Sequence, residues 1–105
     1  MQLREVTERL DAIAWHEQTD RELRERPGTA DTPAAGVEPE LRALAAQLDW
    51  RALDALERTD GYLVWALRLA PFVEHGAAAE RAARHLDDPD WDVRHWARAL
   101  VRPAS

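Results

Sequence analysis

The chain has 105 residues, with fourteen arginines set against twenty aspartates and glutamates for a formal charge of −6, and it has no cysteine. That length suits one domain, able to bury roughly two-thirds of its unfolded surface without metal or disulfide staples. A disulfide framework and a thiolate metal site are excluded, and the negative charge argues against nucleic acid or anionic lipid as a partner.

No apolar run approaches the ~20 residues of a membrane span. The first ten residues carry acids and lack a signal-peptide core. The expectation is a soluble, cytoplasmic protein with no cofactor. Every basic residue is arginine, with no lysine and no asparagine, the composition of a high-GC bacterial coding sequence.

Leu3, Val6, Leu10 and Ile13 follow three-four-three spacing, which predicts an amphipathic helix from residue 2 to about 17. Thr19 and Glu22 then offer a capping box that would start a second short helix reaching Arg26. The alternative is one long helix. Residues 2–26 form the amino-terminal helical part in either case.

Residues 27–39 hold three prolines and two glycines, which preclude a continuous helix. A linker is expected there, the most mobile internal segment, with Val37 its only sizeable apolar anchor.

From residue 40 the chain is denser in apolar residues. Leu41, Leu44, Ala45 and Leu48 share a helical face, and Asp49 is placed to cap a helix carrying Leu53 and Leu56. After Asp60-Gly61 the segment from Tyr62 to Ala70 is apolar almost all round, the mark of a central helix. Pro71 should kink or end it. Ala77 to Leu86 gives a further helix, expected to pack through Ala79, Ala82, Ala83 and Leu86.

A turn, Asp87-Asp88-Pro89-Asp90, separates that helix from the last one. Asp88 is placed to cap the last helix, Pro89 to occupy its first position, and Asp90 and Asp92 to put negative charge near its positive end. Val93, Trp96, Ala97 and Leu100 form the expected buried stripe, and Arg94 is in reach of an acid of the turn.

Residues 83–101, with leucine, Asp-Pro-Asp and then Val93-Arg94 ahead of apolar positions at helical spacing, resemble the inner half of a HEAT repeat. The likeness is to the short bacterial type associated with phycobilisome lyases. An internal echo agrees with a period near 40. Leu41, Leu44, Ala45, Leu48 and Asp49 match Ala79, Ala82, Ala83, Leu86 and Asp87, and Leu53 and Leu56 match Val93 and Trp96. The resemblance implies an all-α fold of stacked helical hairpins over 40–102, as a short α-solenoid or compact bundle. It also implies that Asp87 and Arg94 link neighbouring turns. Such repeats serve binders, scaffolds and enzymes alike.

Catalytic signatures are scarce. Ser105 is the only serine, and no phosphate-binding or zinc-protease motif is present. His85, Asp88, Asp92 and His95 surround one turn but match no metal spacing, so no metal is expected. His16, beside Trp15 and Glu17, is a weak candidate acid or base.

The five tryptophans are more unusual. Trp65 and Trp96 fall on apolar faces, whereas Trp15, Trp50 and Trp91 fall off them and are candidate partner-binding residues. The function expected first is a protein–protein interaction module binding another protein or itself, such as an adaptor or an immunity-like inhibitor whose acidic charge complements a basic target. The alternative is a small-ligand-binding accessory protein or small enzyme with a Trp- and His-lined pocket, for which bilin lyases give precedent by resemblance. A nucleic-acid role, as in HEAT-like DNA glycosylases, ranks third because of the charge.

Overall fold

A computed structural model describes residues 1–24 and 36–101. The fold is all-α: six α-helices and one 3-10 turn, with no strand among the described residues.

α1, Leu3–Arg24, is one continuous helix. Thr19 does not cap a new helix; its hydroxyl donates to the Trp15 carbonyl at 2.9 Å, a bond made inside a helix already running. Val6, Leu10 and Ile13 are buried as their spacing predicts, but Leu3 is exposed. Residues 25–35, and with them most of the expected linker, lie outside the described residues. The linker's end is fixed. Gly36 adopts φ +62, a region that suits glycine, and Val37 is buried, with its carbonyl accepting the Leu41 amide at 2.9 Å.

α2, Glu38–Ala45, carries Pro39 in its first turn, where no amide donor is missed, and buries Leu41, Leu44 and Ala45. The Asp49 carboxylate caps α3, Trp50–Glu57, by accepting the Arg51 and Ala52 amides at 3.0 and 3.3 Å. α4, Leu63–Val73, runs two residues past Pro71 instead of ending there. The ring removes one amide donor, but the Glu74 amide still reaches the Ala70 carbonyl at 2.8 Å and closes the helix normally.

The chain then reverses through His75, a left-handed residue at φ 51, into the 3-10 turn His75–Ala77. α5, Ala78–Ala83, is shorter than the predicted 77–86 and presents a different face. Ala78, Arg81 and Ala82 point inward, while Ala79 and Ala83 are exposed. The buried charge of Arg81, held by Asp54, Glu57 and Glu74, sets that rotation.

α6, Trp91–Val101, starts later than expected. Its cap is Asp90, which accepts the Asp92 amide at 2.8 Å and the Val93 amide at 3.5 Å. Asp88 instead accepts the Asp90 amide at 2.8 Å. The pair 88–90 is therefore a side-chain-closed turn with Pro89 at its centre, ahead of the helix.

α4 is the hub, in contact with α2, α3, α5 and α6, while α1 lies on α2 and α3, and α5 runs along α6. The adjacent hairpins are thus α3 with α4 and α5 with α6; α2 packs on α1 and α4. One core gathers Val6, Leu10, Leu41, Leu44, Leu53, Leu56 and Leu69. A second joins Leu67, Ala82, Val93 and Ala97, with Trp96 and Leu100 partly buried against it. Each fully buried leucine contributes roughly 1.5–3 kcal/mol by leaving water. Because α2 and α6 each sit on α4, the apolar side of α4 between them is left as a cleft.

Candidate functional site

Three features stand apart from ordinary core packing. The first is Arg81, only 5% exposed. Glu74 accepts from its Nε at 3.0 Å and from Nη2 at 2.5 Å. Glu57 accepts from Nη1 at 2.7 Å, and Asp54 lies 2.8 Å from Nη2. Glu57 also touches the His85 ring at 2.5 Å and Arg84 at 3.4 Å. The hydrogen bonding that Glu74 accepts, backed by the surrounding carboxylates against the cost of burial, drives the Arg81 pKa upward. With its fork fully engaged, this guanidinium ties α3 and the start of α5 to the end of α4. It is a structural knot.

The second feature is Arg68. Its guanidinium carbon lies 4.6 Å from the Trp65 ring centre and 4.8 Å from that of Trp96. The cation is therefore stacked on two indoles. Glu17, reaching across from α1, accepts from Nη1 at 2.9 Å and Nη2 at 2.7 Å. That hydrogen-bonded pair holds the Glu17 carboxyl below its ordinary pKa, with burial opposing. Arg68 Nε is buried and has no hydrogen-bond partner among the described residues. An unpaired buried donor costs about 1–3 kcal/mol, so its retention needs a reason.

Arg68 forms part of the wall of the cleft between α2 and α6, about 410 Å³ in volume, together with Val37, Leu41, Leu67, Phe72, Trp96 and Leu100. Glu38 stands at the rim, bound to Arg42 at 2.8 Å, and Arg42 in turn covers Phe72, 4.6 Å from its ring centre.

The third feature is the outer face of α6. Trp91, Arg94, His95 and Arg98 occupy positions i, i+3, i+4 and i+7, one helical stripe. Val93 and Ala97 face the core on the opposite side. The Trp91 and His95 rings stack at 5.3 Å, and His95 meets Trp96 edge-on at 5.7 Å. With Asp87 and Ala99 the stripe lines a shallow concavity of about 440 Å³.

The predicted partner-binding residues are all exposed: Trp15 by 71%, Trp50 by 56% and Trp91 by 65%. They sit on α1, α3 and α6, and no ring contact joins them among the described residues. Arg51 lies over Trp50 at 5.5 Å.

Among the described residues no ion pair joins Asp87 to Arg94. Asp87 is almost wholly exposed and faces Arg98 at 3.9 Å, and among the described residues Arg94 has no ion pair. The turn is closed by the Asp88 and Asp90 carboxylates instead, and Arg98 Nε donates to the Leu86 carbonyl at 3.3 Å.

The histidines are dispersed. His16 pairs with Glu40 at 2.5 Å, His85 with Glu57, and His95 stacks on Trp91. Among the described residues no group of three His, Asp or Glu side chains is placed to hold a metal ion.

Neither Arg81 nor Arg68 belongs to a motif that marks it in the sequence. A signal for Arg68 was present: an arginine in a segment otherwise apolar all round has to be buried, and a buried arginine needs an acid and an aromatic face. No helix among the described residues is long and apolar enough to cross a membrane. Compared with known proteins, the chain matches no family model, no curated protein and no solved structure.

Proposed function

We propose that this protein is a binding module for another protein, with the outer face of α6 as its principal contact surface. The observation that carries the reading is the stripe Trp91, Arg94, His95 and Arg98, an aromatic and cationic face with no helix among the described residues packed over it. Trp91 offers a large rigid side chain already ordered by stacking on His95. Tryptophan and arginine are the residues that most often anchor protein interfaces.

The local charge refines the expected partner. Although the chain as a whole is acidic, this face sets Arg94 and Arg98 against Asp87, so it suits an acidic segment. An adaptor or inhibitor role in the cytoplasm fits a small chain built this way.

The test is photo-crosslinking in cells of the source organism, with benzoylphenylalanine replacing Trp91 and, as a control, exposed Glu80 on α5. A discrete adduct with one protein from position 91, lost on adding Arg94→Glu and Arg98→Glu, is the expected result. Equal or absent adducts at the two positions would overturn the reading.

A further inference from the structure

We propose that the cleft between α2 and α6 binds a small neutral amphiphile, an apolar body carrying one hydrogen-bond acceptor that sits against Arg68. This site is separate from the outer face of α6 and does not depend on it.

Size and lining come first. At about 410 Å³, the cleft falls within the roughly 300–1,000 Å³ of small-molecule sites. Its walls are the side chains of Leu41, Leu67, Phe72, Trp96 and Leu100. Such a surface gains by taking an apolar body out of water.

The polar point is Arg68. A guanidinium has five N–H donors, and Glu17 takes two hydrogen bonds from this one, at 2.9 and 2.7 Å. The buried Nε has no acceptor among the described residues. The Trp65 and Trp96 rings lie 4.6 and 4.8 Å from the guanidinium carbon and, with Glu17, hold it in place. The donor is thus pre-oriented, and fixing it costs a ligand little.

Charge then selects among ligands. Glu17 already neutralises Arg68, and Glu38 at the rim is a second carboxylate beside the cleft. An anion entering would find both arginines, Arg68 and Arg42, already paired with acids. A cation would meet Arg68 and find Glu17 committed. A ketone, ester, ether or amide oxygen satisfies the free donor without adding charge.

Three probes of one chain length separate these cases: 2-nonanone, nonanoate and nonylammonium, titrated into the full-length protein below their aggregation limits and followed by tryptophan fluorescence. Saturable binding of the ketone, at least tenfold tighter than either ion, is expected. Intermolecular NOEs from the ketone should reach the Leu41 and Leu100 methyls and the Trp96 ring.

Leu100→Trp and Phe72→Trp each fill the cleft from a different wall. Either variant, provided its melt is retained, should weaken ketone binding tenfold or more. The NOE map reads the site even if neither variant folds. Binding of nonanoate or nonylammonium as tight as the ketone, no saturable binding of the ketone, unchanged affinity in a folded filled variant, or NOEs centred on Trp91 would each overturn the proposal.

Discussion

Glu74 grips Arg81 in a two-point fork, Nε to Oε2 at 3.0 Å and Nη2 to Oε1 at 2.5 Å, across the turn that joins α4 to α5. Because Asp54 and Glu57 of α3 hold the same guanidinium, one side chain fixes three segments. A buried pair of this kind adds little net stability over an apolar isostere, but breaking it strands the remaining charges.

Arg81→Ala is therefore expected to cost about 3–5 kcal/mol, the range for removing one partner of a buried ion pair. Arg94→Ala should cost no more than about 0.5 kcal/mol, because Arg94 is only half-buried and makes no ion pair among the described residues. Urea melts of the two variants check this. Comparable midpoints would show that the carboxylates around Arg81 are hydrated well enough to do without it.

The cap assignment gives a second test. Asp90→Ala removes the acceptor for the Asp92 and Val93 amides and should cost about 1 kcal/mol, the usual loss for a helix cap. Asp88→Ala removes only the turn bond to the Asp90 amide, so its melting temperature should fall less. A larger loss at position 88 would return the cap to Asp88.

These two cases also show what the sequence could and could not reveal. The Asp49 cap, the α1 positions Val6, Leu10 and Ile13, and the anchor Val37 were legible because each rests on a local rule: a cap, a period, an isolated apolar residue. In α5, both Ala78-Arg81-Ala82 and Ala79-Ala82-Ala83 have helical spacing, and alanine is small enough to sit on either side. Only the acids at 54, 57 and 74, distant in sequence, decide which face turns inward. Three alternating aspartates at 88, 90 and 92 likewise offer equivalent caps until the turn around Pro89 is known. The cleft was invisible for the same reason, since it arises from α2 and α6 both packing on α4.

Acid should act on the Arg68 pair. The Glu17 pKa is lowered in the folded chain, chiefly by the hydrogen bond from Arg68. A carboxyl whose folded pKa is depressed lends stability that is fully present above its unfolded value, about 4.3 for glutamate, and that is lost as pH falls through the folded value. Glu17→Gln should thus melt below the wild type at neutral pH, with the two curves converging as the pH drops below about 4. A gap that stays constant down to acid pH would mean that Glu17 acts through packing and not through its charge.

The tryptophans should divide into two classes. Trp91 is 65% exposed and touches mainly His95, so Trp91→Ala should shift stability by no more than about 0.5 kcal/mol. Trp96 packs against the second core and covers one face of the Arg68 guanidinium, so Trp96→Ala should cost about 3 kcal/mol or more. Quenching by acrylamide supplies an independent readout, because Trp15, Trp50 and Trp91 are open to solvent while Trp65 and Trp96 are partly buried. Single-tryptophan proteins retaining only position 91 should be quenched strongly, and those retaining only position 96 weakly. If the Trp91 protein is shielded while still monomeric, the outer face of α6 is covered within the chain itself and cannot serve as the contact surface.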